Sequence, residues 1–194
     1  MATRLPGRTR PRRGPGQVTP PVVPSSGIEM IDPRFIDVVG CICSHLSGTE
    51  TTWAVTGSLG QALQGVEVAV HDIDIQTDEP GAYEIERCFS DHVVRKVQFS
   101  STETIRSHFG ELCIDGVSVE IMGAIQKRLP DGKWEDRVDV SEHRRFVDLD
   151  GLAVPVLSLE YECQAYRRLG RTAKADMLQE WLDEHANHDP RRPT

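Results

Sequence analysis

The chain has 194 residues, of which 38% are hydrophobic and 27% charged, enough for one folded domain or one domain with a small helical appendage. No apolar run approaches the roughly 20 residues that a spanning helix needs, so the composition excludes an ordinary membrane protein. The net charge is −8, and removing the five arginines of residues 1–26 from the 22 basic side chains leaves 17 against 30 acids. Such an acidic body disfavours stable nucleic-acid binding, which depends on neutralising phosphates, and suits a protein that recruits cations.

Residues 1–26 combine those arginines with six prolines and contain no acid. They cannot bury enough apolar surface to offset their ordering entropy, so this tail is predicted to be disordered, as are residues 187–194. A tail for acidic partners and an inert extension are both open interpretations. No continuous apolar stretch follows the basic residues, so a secretory signal is not expected.

The five cysteines are dispersed and include no pair with the CxxC spacing. A zinc site is therefore not expected, and the sequence predicts reduced core thiols in a cytoplasmic protein. These cysteines are Cys41, Cys43, Cys88, Cys113 and Cys163.

Periodicity and turn residues predict strands and helices along the rest of the chain. Residues 71–77 alternate cleanly between apolar and polar side chains, as a half-buried strand does. Asp115-Gly116 and Asp150-Gly151 are favoured two-residue turns, so each predicts a hairpin. In chain order, the predicted elements are a helix from Asp32-Pro33, a strand over 52–55, a short helix over 59–63, a strand over 71–77, a helix over 80–89, a strand over 92–99, hairpins over 111–122 and 144–156, and helices from Ser158 and Thr172.

These elements predict an α+β fold, close to α/β, in which helices flank a mixed β-sheet and a C-terminal helical hairpin follows. The predicted catalytic domain covers residues 27–157, with its folded part beginning near Ile28. The hairpin covers residues 158–186 and is expected to pack on that domain. Ser158 and Gly170 indicate the start and the end of its first helix.

Two aspartates stand on the predicted strand over residues 71–77. Asp72 and Asp74 are separated by one residue, so they are expected to project to the same side while Ile73 and Ile75 bury. Neighbouring carboxylates disfavour each other's ionisation, and a divalent cation between them reverses that cost. Oxygen ligands of this kind select Mg²⁺ or Mn²⁺, although the pair could also form the solvated face of an edge strand.

Glu120 is the candidate third acid of this metal site. Its strand carries Val117, Val119 and Ile121 on an apolar face, which leaves Glu120 on the opposite face. If this strand pairs beside that of Asp72, three carboxylates can hold one or two metals and align a phosphoryl group. An ordinary polar residue on an exposed strand face is the alternative.

Gly57-Ser58 is the candidate nucleotide-binding turn. Glycine allows phosphate oxygens to approach the backbone closely, and Ser58 offers a hydroxyl and an exposed amide. The short helix that follows aims its first amides at the same place. Lys127 follows the Glu120 strand and could also reach phosphates, with a solvated loop as the competing interpretation.

Gly57-Ser58 followed by His71-Asp72-Ile73-Asp74-Ile75 resembles the signature of the DNA polymerase beta-type nucleotidyltransferase superfamily. Glu120 stands where that superfamily carries its third acid, and the resemblance covers roughly residues 52–122. The chain is most similar to small bacterial members, namely lincosamide and aminoglycoside nucleotidyltransferases and the minimal nucleotidyltransferases of toxin–antitoxin pairs. The gap between the Gly-Ser turn and the first aspartate is slightly longer than the commonest version, which leaves the subfamily open.

The resemblance implies that Gly57 and Ser58 bind a triphosphate. It also implies that Asp72 and Asp74 ligate Mg²⁺ or Mn²⁺. Glu120 would complete the metal site or take the proton of the attacking hydroxyl.

The leading hypothesis is therefore a metal-dependent nucleotidyltransferase. It would move a nucleoside monophosphate, AMP first among them, from ATP or another NTP to a hydroxyl of a small molecule, with pyrophosphate release. The alternatives are an antitoxin-like enzyme that adenylylates a partner protein and a nucleotide-binding relative without turnover. No membrane partner is expected, and a monomer and a homodimer are both open.

Overall fold

The structure, a computed structural model, describes residues 31–186 and places six α-helices and one seven-stranded sheet within them. The tails over residues 1–26 and 187–194 and the predicted start near Ile28 lie outside the described residues. The helices are α1 (Pro33–Leu46), α2 (Gly57–Leu63), α3 (Glu79–Cys88), α4 (Val140–His143), α5 (Leu159–Arg168) and α6 (Thr172–His185). The strands are β1 (Trp53–Thr56), β2 (Ile73–Thr77), β3 (Val93–Ser101), β4 (Ile105–Ile114), β5 (Val117–Lys127), β6 (Arg144–Leu149) and β7 (Leu152–Leu157).

The strands form one mixed sheet in the order β3-β4-β5-β2-β1-β7-β6. Strand β2 pairs in parallel with β5 and antiparallel with β1, and β1 pairs in parallel with β7. The two hairpins turn at Asp115-Gly116 and Asp150-Gly151, where both turn residues have positive φ, as a type I′ turn requires. The predicted α+β fold with a mixed sheet flanked by helices is confirmed.

One face of the sheet carries the main hydrophobic core. Ile73 and Ile75 of β2 and Val119 of β5 are fully buried on this face, where they pack with apolar residues of α1, α2 and α3. Because side chains alternate along a strand, the intervening Asp74 of β2 and Glu120 of β5 face the opposite side. The packing of the core therefore determines where these two acids point.

Helix α5 stands over the sheet face opposite the main core. Ser158 caps α5 by accepting a hydrogen bond from the amide of Tyr161, and Gly170 follows its end in the left-handed conformation at φ +69°. Tyr161 packs against Ala54 of β1 and Leu157 of β7. Helix α6 then folds back onto α5 through a second apolar cluster, which completes the predicted hairpin.

Strand β2 is shorter than predicted, because it begins at Ile73 and not at residue 71. Its partner β1 ends at Thr56, opposite Asp74, and the chain then turns at Gly57 with a φ of +66°. Asp72 therefore precedes the strand. The prediction that both aspartates stand on one strand was wrong for Asp72.

Other boundaries also differ from the predictions. The β4–β5 hairpin extends over residues 105–127, well beyond 111–122, because pairing continues past a bulge at Ala124. Thr172 was predicted to cap α6, but Arg171 holds the cap position, since its amide is used to close α5 through the carbonyl of Tyr166. No helix within residues 31–186 is long and apolar enough to cross a membrane. The division into residues 27–157 and 158–186 stays a prediction.

Candidate active site

A cleft of about 470 Å³ lies between the sheet face opposite the main core and helix α5. Its floor comes from strands β2, β3, β4 and β5, so residues distant in the sequence line it together. A volume of this size suits a small-molecule ligand. At one end the cleft is lined by Thr56, Gly57, Asp74, Glu120, Glu162 and Arg171.

Strand pairing brings Asp74 and Glu120 together. The two residues are direct partners in the parallel pairing of β2 with β5, and neighbouring strands lie only about 4.8 Å apart. Both side chains are partly buried and line the cleft. The two acids thus meet on one face of the sheet, the arrangement that the sequence predicted for them.

Asp72 lies in the bend just before β2 and is not among the residues that line the cleft. It is still close to the other two acids. Burial raises the pKa of Asp74 to about 7, and the charge of Asp72 contributes next, followed by that of Glu120. Burial also raises the pKa of Glu120, again with Asp72 as the largest charge contribution. The three carboxylates therefore interact electrostatically as one acidic set.

Gly57 brings this acidic set against the backbone of the β1–α2 turn. A Cβ atom placed on Gly57 would stand 2.2 Å from Oδ2 of Asp74 and 3.1 Å from its Cγ. Together with the φ of +66°, this contact means that only glycine fits the position without displacement of Asp74. The close approach at this glycine is thus made by a carboxylate of the protein itself.

Ser58 stands next to Gly57 in the first turn of α2, partly buried and outside the lining of the cleft. The amide of Gly57 is already engaged, because it donates a hydrogen bond of 2.8 Å to Oε1 of Glu162. The same oxygen accepts a 2.6 Å hydrogen bond from the hydroxyl of Thr56. The hydrogen-bonding capacity of the Gly57 amide is therefore satisfied within the protein.

Glu162 was missed by the sequence reasoning. It is only 3% exposed, and its Oε2 accepts a hydrogen bond from the side-chain amide of Gln61 on α2. The signal that could have found it is its position in α5, three residues after Leu159 and four before Tyr166. These neighbours belong to the apolar face of the helix, where a charged residue needs buried partners.

Lys127 is buried at the end of β5, so the interpretation of this residue as part of a solvated loop was wrong. The positive φ of Ala124 marks the bulge, which keeps Lys127 on the face of the sheet that forms the cleft floor. Its Nζ lies 3.0 Å from Oε1 of Glu135 and 3.3 Å from the hydroxyl of Tyr161. Lys127 therefore lines the cleft while it shares the carboxylate of Glu135 with Arg168, whose Nη1 lies 2.9 Å from Oε2.

The acidic set fits a divalent cation by chemistry and charge. Carboxylate oxygens are the ligands that Mg²⁺ and Mn²⁺ prefer, and the mutual repulsion of Asp72, Asp74 and Glu120 is what a cation relieves. Within residues 31–186, however, no three Asp, Glu, His or Cys side chains are arranged closely enough to form a finished metal site. The three carboxylates lie near one another, but they do not converge on a single metal position in this structure.

Comparison with known sequences connects this geometry to a family. The sequence profile of the aminoglycoside-2''-adenylyltransferase family matches residues 38–180, which include the turn, the three acids, all of α5 and the first part of α6. The chain belongs to this family. Its members and its structural relatives are nucleotidyltransferases, so the enzyme class and the superfamily resemblance predicted from the sequence are confirmed. No curated protein matches the chain.

Solved structures agree with the assignment to the aminoglycoside-2''-adenylyltransferase family. A Thermotoga maritima protein assigned as a nucleotidyltransferase is 61% identical, with a TM-score of 0.71 over 80% of this chain and 96% of that one. ANT(2'')-Ia in complex with adenylyl-2''-tobramycin is 12% identical, with a TM-score of 0.51 over 77% of this chain and 90% of that one. A solution structure of ANT(2'')-Ia gives a TM-score of 0.54 at 13% identity, covering 79% and 85% of the two chains. At such low identity, the ANT(2'')-Ia structures support the fold alone.

Proposed function

We propose that the chain transfers AMP from ATP to a hydroxyl group of a small molecule in a metal-dependent reaction that releases pyrophosphate. One observation carries the proposal. Asp74 lies against the Gly57 turn and directly beside Glu120, at the end of a cleft large enough for a small molecule. This juxtaposition puts a nucleotide-binding turn and a cation-binding acidic set within reach of one triphosphate.

Asp72 and Asp74 would hold the divalent cation, with Glu120 as the third acid of the set. When bound, such a cation neutralises charge on the triphosphate and on the leaving pyrophosphate. The fold holds Asp74 in place before a cation binds. Strand β2 fixes Asp74, and the absence of a Cβ at Gly57 leaves room for its carboxylate.

Positive charge for the triphosphate comes from the helical side of the cleft. Lys127, the predicted phosphate-binding lysine, is buried, and its Nζ is directed to Glu135 and to the hydroxyl of Tyr161. Arg171 is exposed and lines the same cleft as Gly57 and Asp74. We therefore assign contact with the phosphates to Arg171 and to the Ser58 side of the turn, and we give Lys127 a supporting role in the cleft wall.

Glu120 is the residue that takes the proton from the acceptor hydroxyl. It lines the cleft beside Asp74, so it can accept the proton of a hydroxyl that approaches the α-phosphorus from the cleft. As the hydroxyl proton passes to Glu120, the acceptor oxygen bonds to the α-phosphorus. The bond from that phosphorus to the bridging oxygen breaks, and its electrons leave with pyrophosphate.

The size of the cleft and the family of the chain both support a small-molecule acceptor. The cleft continues from the acidic set past Met122 to a region of hydroxyl and apolar side chains. ANT(2'')-Ia, which shares the fold, has a crystal structure in complex with adenylyl-2''-tobramycin, an adenylylated small molecule. The hydroxyl and apolar groups at the far end of the cleft are Ser100, Thr102, Thr104, Ser107, Ile105 and Phe109.

Calorimetric titration of ATP with Mg²⁺ tests the nucleotide and metal assignment. The wild-type protein should bind ATP, and the Asp72→Asn/Asp74→Asn double variant should lose the Mg²⁺-dependent part of the affinity. Asp91→Asn, an exposed position in the short 3-10 turn over residues 90–92, is the matched control. Equal affinity in the wild type and the double variant would overturn the assignment.

Pyrophosphate release with a panel of hydroxyl compounds tests turnover. Stimulation by a small molecule supports the proposed acceptor class. Mass spectrometry after incubation with labelled ATP distinguishes this outcome from adenylylation of a partner protein. ATP binding without pyrophosphate release in the presence of any of these acceptors would point to the relative without turnover.

A further inference from the structure

The carboxylate of Glu162 joins the helical hairpin to the turn between β1 and α2. Glu162 belongs to α5, but all of its hydrogen-bond donors come from the segment around Gly57. Oε1 accepts from the hydroxyl of Thr56 at 2.6 Å and from the amide of Gly57 at 2.8 Å. Oε2 accepts from the side chain of Gln61, which also donates to the hydroxyl of Tyr166 at 2.9 Å.

The cost of burying a carboxylate explains why these donors matter. A charged group that is only 3% exposed is unfavourable unless several hydrogen bonds compensate it. The Thr56, Gly57 and Gln61 donors provide that compensation, and each of them is in turn held in place by Glu162. The orientation of the turn is therefore coupled to the position of α5.

Gly57 is the point at which this coupling meets the acidic set. Its amide faces Glu162, and its Cα faces the carboxylate of Asp74. A rotation of the Gly57 peptide would break the first contact and change the second. Glu162 therefore holds the backbone against which Asp74 rests.

We propose that Glu162 is a positioning residue, which fixes the Gly57 turn so that the turn and Asp74 are preorganised for the triphosphate. The proposal rests on the proposed function, since it takes the turn to be the nucleotide site. It assigns Glu162 no contact with the reacting atoms. What the turn needs from this residue is a hydrogen-bond acceptor at the position of Oε1.

Two substitutions of nearly equal size separate this role from simple filling of space. Glu162→Gln keeps an acceptor oxygen for Thr56 and Gly57, and the side-chain amide of Gln61 can flip to accept from the new amide. Glu162→Met keeps the length of the side chain but removes the acceptor. Leaving a buried donor unpaired costs enough to weaken ATP binding about tenfold.

The readouts are the dissociation constant and the KM for ATP, the kcat, and hydrogen exchange of the peptide over residues 53–63. Glu162→Met is expected to raise the dissociation constant and KM about tenfold and to speed exchange, while Glu162→Gln stays within about threefold of wild type. Glu160→Gln, an exposed position on the same helix, is the control and should match wild type. Equal ATP affinity and equal exchange in the Met and Gln variants would overturn the proposal.

Thr56→Val keeps the inference testable if Glu162→Met does not fold. It removes one donor to Oε1 at nearly constant volume and should weaken ATP binding about threefold. An unchanged affinity in this variant would count against the positioning role. Failure of the proposed function looks different, because the wild-type protein would then bind no ATP, while the exchange difference between Met and Gln would remain.

Discussion

Two carboxylates lie against Gly57, and their environments differ. Glu162 accepts hydrogen bonds from the turn itself, including that of the Gly57 amide. Asp74 lies against the Cα of the same glycine and has Asp72 and Glu120 as its acidic neighbours. Burial raises the pKa of both carboxyl groups, but hydrogen bonds oppose the rise for Glu162, whereas the neighbouring acids add to it for Asp74.

This difference distinguishes a carboxylate with a structural role from a carboxylate with a chemical role. A buried acid whose oxygens are satisfied by protein donors stabilises one backbone geometry and has little left to offer a ligand. An acid among other acids is held in an unfavourable electrostatic state, and proteins concentrate such states at functional sites. On this reasoning Glu162 belongs to the scaffold, and Asp74 belongs to the site that the scaffold supports.

The largest effect that the contrast predicts is on turnover. Asp74→Asn keeps the size of the side chain but removes a negative charge from the proposed cation site, so kcat should fall about a thousandfold or more. Pyrophosphate release with saturating ATP and Mg²⁺ measures this loss. Asp91→Asn should retain full turnover, and an Asp74→Asn variant within about tenfold of wild type would remove Asp74 from the proposed chemistry.

A smaller but more specific effect is expected at the glycine between the two carboxylates. Gly57→Ala would place a methyl group 2.2 Å from Oδ2 of Asp74 and so push that carboxylate away. A misplaced catalytic group can cost about a hundredfold, so kcat should fall by about that factor. The strained φ of +66° should also reduce the free energy of unfolding by about 1 kcal/mol.

Gly48→Ala is the matched control for Gly57→Ala. Gly48 also has a positive φ, of +86°, but a Cβ there would meet nothing within 4 Å. Both variants should therefore lose stability in urea unfolding through the strained φ, with a further loss in Gly57→Ala from the contact with Asp74, while only Gly57→Ala loses turnover. Equal turnover in the two variants would show that the contact with Asp74 has no part in the reaction.

The raised pKa of Asp74 predicts how the stability of the metal-free protein depends on pH. The pKa of Asp74 is raised to about 7 in the folded state, mainly by burial and next by Asp72, from an ordinary value of 3.8. The folded protein therefore binds this proton more tightly than the unfolded chain. Its stabilising contribution is complete below about pH 4 and is lost as the pH rises through about 7.

Urea unfolding with a chelator present at about pH 5 and pH 7.5 measures this dependence. Asp74→Asn should be the more stable protein near pH 7.5, by on the order of 1 kcal/mol, and the difference should shrink at about pH 5. Wild-type protein that gains stability relative to Asp74→Asn as the pH rises would contradict the raised pKa. An inactive variant that is more stable than the wild type would also illustrate the trade-off between stability and activity.

The sequence was sufficient for the parts of the site that depend on local periodicity. Alternation along β5 placed Glu120 opposite Val119 and Ile121, and the turn residues at Asp115-Gly116 fixed its hairpin. The mixed sheet and the helical hairpin followed from the same signals. Local patterns are sufficient here because a one-residue change of register would bury the acid and expose the core.

The remaining features depend on contacts that the sequence does not encode locally. Asp72 lies outside β2 because β1 ends at Thr56, and Lys127 is buried because a bulge extends β5. The expectation of core thiols was correct for the buried Cys163 but wrong for Cys113, which is exposed on β4. Each error concerns a residue whose environment is decided by how its strand pairs or ends and not by the hydrophobic pattern around it.

The smallest expected effect concerns Tyr166, the residue farthest from Gly57 in the hydrogen-bond network around Glu162. Tyr166→Phe removes the hydroxyl that accepts from Gln61, but Gln61 still donates to Oε2 of Glu162. One N–H of the Gln61 amide keeps its bond to Glu162 and the other loses its acceptor, so the free energy of unfolding should fall by about 1 kcal/mol, as measured in urea. Because Glu162 keeps its bonds to Thr56 and Gly57, ATP affinity should change less than about threefold. A tenfold loss of affinity would mean that Tyr166 contacts the nucleotide directly, and the scaffold would then extend no further than Glu162 itself.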